Sequence, residues 1–303
     1  MKRRDFIIKT AASTAFLSFG GLSLMNFDSK KSKRITILHT NDTHSHIEAF
    51  PLTDAKYPGQ AGVARRATLI EEIRKENPHT LLLDAGDMFQ GSPYFNFYGG
   101  ELEFKLMNLL KYDAATIGNH EFDNGVNGLA KQAPIATFDI INANYDFRNT
   151  LMDGYTKPYK VYVKNGIKIG VFGLGVKLEG LVNKREYGET IWHHPIEIAQ
   201  DMSRILREEK KCDLVICLSH LGFQYTNETL TSDLDLAAAT KGIDLIIGGH
   251  THTFLDQPVI VKNAEGKDVI VNQAGCYGLR LGQIDFFFDD AKIVSNTARS
   301  IRI

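Results

Sequence analysis

Gly118-Asn119-His120-Glu121-Phe122-Asp123 stands directly after Ala114-Ala115-Thr116-Ile117, an apolar run that reads as a short buried strand. A strand that runs into Gly and then Asn turns sharply and aims its side chains outward. Asn119 brings a carbonyl oxygen able to ligate a hard or borderline metal ion. His120 works as an acid or base near neutral pH with little tuning. Asp123, three residues on, can hold that imidazole in one orientation, as the carboxylate of a catalytic triad does. Alone, the stretch reads as a polar turn with a capped loop. Four further strand ends with complementary residues change that reading.

Working outward, residues 34–39 alternate and are β-branched, so they predict a first strand, which runs into Thr40-Asn41-Asp42-Thr43-His44-Ser45-His46. Residues 62–77 place Val63, Ala67, Ile70 and Ile73 at helical spacing, with Pro78 just beyond. Residues 80–84 read as a buried strand before Ala85-Gly86-Asp87, and Gly91-Ser92-Pro93 as the start of a loop. Residues 101–110 predict a helix with Leu102, Leu106 and Leu109 on one face, and 138–143 another short strand. Residues 159–163 and 167–173 form a hairpin, because Asn165-Gly166 between β runs favours a tight primed turn. A helix over 195–209 has Pro195 in its first turn. Residues 214–218 read as a buried strand ending in Ser219-His220, and 232–240 as helical. Residues 245–247 form a strand ending in Gly248-Gly249-His250-Thr251-His252, and 259–262, 269–272 and 282–288 are strand-like. Strands alternate with helices at first and hairpins dominate later, which points to an α/β fold with mixed sheets.

Five polar clusters thus stand just after five apolar strands: Asp42-x-His44, Gly86-Asp87, Asn119-His120, His220 and His250-x-His252. Open α/β sheets bind ligands outside the carboxyl ends of their strands, so all five converge if the strands run the same way. In extended chain, residues i and i+2 share a side, so Asp42 and His44 can grip one ion, while His250 and His252 can reach adjacent ions. Two aspartates, one asparagine and four histidines suit Zn, Mn, Fe or Co rather than Ca or Mg alone. Seven ligands exceed one tetrahedral ion and suit two ions that share a carboxylate.

These five blocks, in this order, resemble the calcineurin-like metallophosphoesterase superfamily. Thr40-Asn41-Asp42-Thr43-His44, Gly118-Asn119-His120-Glu121-Phe122-Asp123 and Gly248-Gly249-His250-Thr251-His252 are similar to the catalytic domain of secreted 5′-nucleotidases. The likeness covers the chain from residue 34 to 303. It implies a four-layer α/β/β/α sandwich of two mixed β-sheets, with a di-metal site at the carboxyl ends of the strands. Asp42, His44, Asp87 and His252 would hold one divalent ion; Asp87, Asn119, His220 and His250 would hold the second, with Asp87 bridging. His252 stands where the nucleotidase branch often has Gln, which leaves the site competent and bears on metal preference. The resemblance also implies a hydroxide nucleophile made available at neutral pH, with His120 as the catalytic acid or electrostatic stabiliser, oriented by Asp123.

Among the remaining polar residues, Asp84 reads equally as a support to the metal ligands or a capped turn, and His46 as a solvent-facing or supporting residue. His39, His79, His193 and His194 read as structural. Arg65 and Arg66 open a helix, and Asn144 and Tyr277 lie in loops near the expected substrate.

A net charge of −1 over 303 residues, with 23% charged and 43% hydrophobic residues, is ordinary globular usage and gives no sign of a polyanion-binding surface, so no nucleic acid polymer is expected as partner. Cys212, Cys217 and Cys276 are odd in number and lack metal-ligand spacing, so they read as small buried hydrophobes. Lys2-Arg3-Arg4 followed by an apolar stretch to Leu24 has the layout of an export leader too short to span a bilayer; Arg3-Arg4-Asp5-Phe6-Ile7 resembles a twin-arginine signal. The expectation is a leader over residues 1–28, a catalytic domain over 34–303, a periplasmic or cell-envelope location and no stable membrane span in the mature protein.

The expected substrate is a small phosphate ester of nucleotide type. Phosphodiesterase, nucleotide-sugar hydrolase and thiosulfohydrolase chemistry are the alternatives within the superfamily, and a non-catalytic metal- or phosphate-binding envelope protein is the alternative outside it. The resemblance implies a C-terminal domain that holds the base, and this chain stops at Ile303, which leaves two expectations open: a substrate that is not a nucleotide, or a separate chain resembling that domain as partner.

Overall fold

The computed structural model describes residues 32–226 and 230–303, so the leader read at residues 1–28 lies outside the described residues. In chain order the first half contains β1 (Lys33–Thr40), α1 (Val63–Glu76), β2 (Thr80–Asp84), α2 (Pro93–Tyr98), α3 (Glu101–Leu110), β3 (Ala114–Ala115), α4 (Gly125–Gln132), β4 (Asp139–Ile140) and β5 (Tyr145–Asp146). Then come β6 (Tyr159–Lys164), β7 (Ile167–Gly175), α5 (Lys184–Tyr187), β8 (Ile191–Trp192), α6 (Pro195–Arg204) and β9 (Leu214–His220). The last part holds α7 (Asp233–Ala239), β10 (Leu245–Gly248), β11 (Val259–Lys262), β12 (Asp268–Asn272), β13 (Arg280–Asp289) and β14 (Lys292–Arg302).

Two mixed sheets result, in the orders β14-β13-β1-β2-β3-β4 and β11-β12-β10-β9-β7-β6. In the first, β1 to β4 run parallel and β13 lies antiparallel to β1 and β14. In the second, β7, β9, β10 and β12 run parallel, with β6 and β11 as antiparallel edges. The Asn165-Gly166 turn joins β6 to β7 with both residues at positive φ, 52° and 74°, as a primed turn requires.

The period-two alternation of the strands explains why the sheets stack. Ile35 and Ile37 of β1, Leu81 and Leu83 of β2, Leu214, Ile216 and Leu218 of β9, and Leu245 and Ile247 of β10 share one core between the sheets. The intervening Leu38 and Leu82 face a second core under α1, α3 and α4. Val215, Cys217 and Ile246 face a third under α6 and α7. Three apolar layers separate four structural ones, the α/β/β/α sandwich. Each Leu or Ile buried in them contributes about 1.5–3 kcal/mol. The three cysteines are free and buried, as small hydrophobes would be. Among the described residues no helix is long and apolar enough to cross a membrane.

Two local expectations need correction, and two elements, α4 and β14, go unread in the sequence. Helix α3 buries Phe104, Met107 and Leu110, while Leu109 is 77% exposed. Two apolar stripes compete at helical spacing there, and the ring of Phe104, packed on Phe89 and Phe138, decides the face. Pro93 opens a helix rather than a loop, since Pro is pre-organised for the first helical position. Helix α4 escapes notice because Gly125 and Gly128 dilute its helical signal; its buried Val126 and Leu129 hold it by packing. Strand β14 has no apolar alternation because it is an edge strand paired only with β13.

Candidate metal centre at the strand ends

Parallel β1, β2 and β3 of one sheet and β9 and β10 of the other deliver their carboxyl ends to a common place. The turn after β1 is laced to the turn after β2 by backbone bonds from Asp42 N to Gly86 O (2.9 Å) and His44 N to Asp87 O (3.0 Å). The second sheet joins through His250 N, which donates to the Asp42 carboxylate at 3.0 Å, and through His220 Nδ1, 2.7 Å from Ala85 O. Asp42, His44, Asp87, His250 and His252 all lie in the left-handed region, with φ between 48° and 72°. Convergence of Asp42 with His44 therefore comes from left-handed turns, not from the extended i, i+2 alternation expected of them. Asp, Asn and His tolerate that region better than other side chains, yet such strain is typically stored at functional sites.

Two clusters of ligand atoms, each within 4.8 Å of one another, result: Asp42, His44 and His252, and Asp87, His220 and His250. Asp87 lies between them, its Oδ2 3.0 Å from His220 Nε2 and 4.0 Å from His44 Nε2. His44, Asp87 and His120 form a third, overlapping group. The ligand atoms of the two clusters face one another at close range. His220 Nδ1 is committed to Ala85 O, which leaves its Nε2 to face Asp87 Oδ2 at 3.0 Å, across a gap that a proton or a cation can bridge. His44 Nδ1 lies 3.3 Å from Phe89 O, and its Nε2 meets His252 Nε2 at 2.9 Å. Asn119 Oδ1 is buried and without a partner. Ring nitrogens and carboxylate oxygens gathered this closely can share a cation in place of protons, and the mixed O/N set fits divalent metal ions.

Without a cation, protons bridge these groups instead. Burial presses the His220 imidazole down, but the Asp87 carboxylate and its hydrogen bond overcome this and carry it to about 10. Burial would push the Asp87 carboxyl up, yet the facing His220, His120 and His44 imidazoles hold it well below the ordinary carboxylate range. A hydrogen bond to Asp42, then one to Cys276, raises His252 to about 10. Burial, then the neighbouring His220, lowers His250 to about 4, which leaves it neutral and able to ligate.

His120 stands beside these clusters on a 3₁₀ turn, with its Nδ1 2.8 Å from Asp123 Oδ2. That bond, ahead of the opposing effect of burial, raises its pKa. The side chains of His120 and Asp123 are 35% and 30% exposed, so the imidazole reaches the open pocket above the centre.

Glu121 is the residue that sequence reasoning passed over. Its buried carboxylate accepts the N–H groups of Asp87 (2.9 Å), Met88 (2.8 Å), Phe89 (3.1 Å) and Gly118 (2.6 Å). It thereby shapes the turn that presents Asp87. An acid directly after His120, inside a block otherwise rich in ligands, was the available signal. Asp84 does two things, accepting from Thr40 Oγ1 (2.5 Å) and from Gly86 N (2.9 Å), so it fixes the same turn from below. Gly118 has no room for a side chain, since a Cβ there would run into Asp87 Oδ1 and come 2.7 Å from His220 Nε2.

The weaker candidates sort clearly. Asn144 is fully buried and bonds Gly175 in both directions, so it ties strand ends together instead of facing a substrate. His39 is buried and bonded to Asn272, a cross-sheet structural role. Arg65 is exposed, whereas Arg66 is buried beside Gly278. His46 and Tyr277 both line the pocket that holds His120.

The comparisons with known proteins agree with this architecture. The chain is 38% identical over 282 residues to the snake venom 5′-nucleotidase of Crotalus adamanteus, covering 86% of this chain and 46% of that protein. It is 36% identical over 304 residues to the trifunctional nucleotide phosphoesterase YfkN of Bacillus subtilis, covering 89% of this chain and 19% of that protein. The solved 5′-nucleotidase precursor of Thermus thermophilus superposes with a TM-score of 0.81 at 34% identity, over 89% of this chain and 55% of that one. The chain thus spans about half the length of the venom and Thermus proteins. The profile of the calcineurin-like phosphoesterase family matches residues 35–254. With a match that reaches into both sheets and covers every strand end of the centre, the chain belongs to the calcineurin-like phosphoesterase family.

Proposed function

We propose that this chain is a metal-dependent phosphoester hydrolase that acts as a phosphomonoesterase on nucleoside monophosphates, with residues 34–303 as its catalytic domain. The observation that carries the reading is the pair of ligand clusters joined through Asp87, with the His120–Asp123 pair beside them. Asp42, His44, Asp87 and His252 would hold one ion, and Asp87, Asn119, His220 and His250 the other. Two divalent cations at such a site supply a strong nucleophile from water at neutral pH and neutralise phosphoryl charge. Asp87 fixes the spacing of the two clusters. His120, whose protonated form Asp123 favours, would offer an N–H to the phosphoryl oxygens or a proton to the leaving oxygen. Glu121 and Asp84 hold the Asp87 turn in place. A merely metal-binding protein has no use for a polarised imidazole at the rim of its site. The nucleotide assignment draws on the 5′-nucleotidase relatives, and an exported location on the basic and apolar leader pattern at residues 2–24.

One observation favours a second reading. Another pocket, of about 500 Å³, also reaches His250 and is lined by Trp192, Tyr225 and Lys177. A second space adjoining the ligand residues is what a phosphodiester or nucleotide-sugar requires. A substrate panel on metal-reconstituted protein decides between them: AMP, UMP, an aryl phosphate, a cyclic nucleotide and a UDP-sugar. Faster turnover of the monoesters supports the proposal. Preference for the diesters would shift the assignment to the second reading, and no turnover of any of them would refute a hydrolase.

A further inference from the structure

Against the turn that carries His44 lies a small cavity of about 20 Å³, bounded by α1, α3 and residues 43–47. Arg66, Glu103 and His46 all line it. Each brings a buried polar atom that has no hydrogen-bond partner among the described residues: Arg66 Nε, Glu103 Oε2 and His46 Nε2. Arg66 is the one arginine or lysine among the described residues that is buried, at 7% exposure, and Glu103 is 5% exposed. Much of the remaining wall is apolar, supplied by Val63, Met88, Met107 and Leu110. Burying charged and polar groups without partners is costly, so two charged side chains and an imidazole meet in such a place only if something satisfies them.

The three atoms differ in what they need. Arg66 Nε can only donate, and an ionised Glu103 Oε2 can only accept. His46 Nε2 in a neutral ring does one or the other, according to its tautomer. A metal cation in the cavity would meet the guanidinium, and an anion would meet the carboxylate. Water donates twice and accepts twice, so it serves all three. The size agrees, since about 10–15 Å³ holds one water and a buried water typically makes about three hydrogen bonds. The other oxygen of Glu103 shows what depends on this. Glu103 Oε1 accepts from Ser45 Oγ, directly behind His44. His44 and Ser45 are both left-handed, at φ 48° and 55°, so Glu103 braces a strained turn from helix α3. Ser92 Oγ donates to Ser45 O at 2.7 Å, and Ser45 N donates to Met88 O at 2.9 Å. Arg66 in turn backs Gly278, where a Cβ would come 2.5 Å from its Nη1. The neighbouring Tyr277 N–H donates to Asp42 O at 2.7 Å. The cavity thus adjoins two supports of the first ligand cluster.

We infer that this cavity is a built site for one water molecule that bridges Arg66, Glu103 and His46, and that the bridge makes Glu103 and Arg66 positioning residues for the turn of Asp42 and His44. The positioning role rests on the metal-centre reading above, whereas the water site stands without it. Through the water, helix α1, helix α3 and the end of β1 share one polar joint in an otherwise apolar layer. Removing either charged partner leaves the other buried beside a water it cannot fully satisfy.

A crystal structure of the whole protein, at a resolution that shows ordered water, is the first test. One buried water within hydrogen-bond distance of Arg66 Nε, Glu103 Oε2 and His46 Nε2 is expected. A dry cavity, or a guanidinium turned to touch the carboxylate directly, overturns the inference. The second test is a double-mutant cycle read by urea unfolding. Arg66→Met and Glu103→Leu should each lower the folding constant by about 5- to 100-fold, because each leaves buried partners unsatisfied. The double variant should lose about 2- to 100-fold less than the product of the two, since the coupled groups leave together. Losses that simply multiply overturn the bridge. The third measurement is Zn affinity by competition with a chelator. Glu103→Leu is expected to weaken it by about 10- to 100-fold, and Glu103→Gln, which keeps an acceptor for Ser45 and a polar group for the water, to stay within about threefold of wild type. Equal Zn affinity in wild type and Glu103→Leu overturns the positioning role. A bridging water and a coupled pair in a wild type that binds no Zn would sustain the water site and remove the metal centre.

Discussion

Replacing Glu121 by Gln tests how the Asp87 turn is held. Each carboxylate oxygen accepts two backbone N–H groups: Oε2 from Asp87 and Gly118, Oε1 from Met88 and Phe89. A Gln side chain of the same size keeps one oxygen and sets an amide NH₂ against the other two donors. Two buried N–H groups then lose their acceptor, at about 1–3 kcal/mol each. The expected loss is therefore about 2–6 kcal/mol of unfolding free energy, offset only as far as the turn can rearrange toward water. Burial, and after it the charge of Asp87, pushes the Glu121 carboxyl up to about 7, whereas its N–H donors favour the ionised form. Ionised, it uses both oxygens as acceptors, which Gln cannot copy. Because the same donors shape the turn of Asp87, metal retention should fall together with stability. Denaturant titration of metal-loaded and chelator-treated protein measures both. A Glu121→Gln variant within about 0.5 kcal/mol of wild type, the scatter of ordinary surface substitutions, would refute the reasoning.

Three further outcomes are expected. His120→Asn should retain its metal ions and lower kcat by about 10²-fold or more, an acid–base or electrostatic contribution; unchanged kcat removes His120 from the chemistry. Gly118→Ala should fold, by circular dichroism, but fail to hold metal, because the added Cβ displaces Asp87 and His220; normal metal content would show that the turn can shift without loss. His39 is buried and lowered from 6.5 to about 4 by burial, so between those values the unfolded chain binds a proton that the folded one refuses. The stability this leaves intact above pH 6.5 is lost as pH falls toward 4, by about 3 kcal/mol in all. His39→Gln should flatten that part of the pH–stability curve measured in urea, and parallel curves for the two proteins would contradict it.

Much of the centre was legible because strand ends are marked in sequence. A buried run such as 214–218 or 245–247 has few other places to end than at the sheet edge, so the chain pattern alone places the polar residues that follow it. The fold class followed from the same runs, whose double-sided burial reflects sheets covered on both faces. What the sequence hid are relations between distant residues. Glu121 works through backbone groups at 87–89, and a side chain's choice of backbone partners leaves no trace in periodicity. Left-handed φ at Asp42, His44 and His252 is equally silent, because Asp and His do not announce it as Gly does. Edge strand β14 and the glycine-diluted α4 take their stability from pairing and packing, not from propensity. Tyr277 reads as a loop residue until the turn to Asp42 is seen.

The most direct test of the di-metal reading is the metal content of purified wild type and of Asp87→Ala, by elemental analysis after exhaustive dialysis. Asp87 is the carboxylate between the two ligand clusters, so it bears on both ions. The account predicts about two divalent transition ions per chain in wild type and a loss of both in the variant. A variant that keeps a full complement, or a wild type that holds none when supplied with Zn, Mn, Fe or Co, would contradict it.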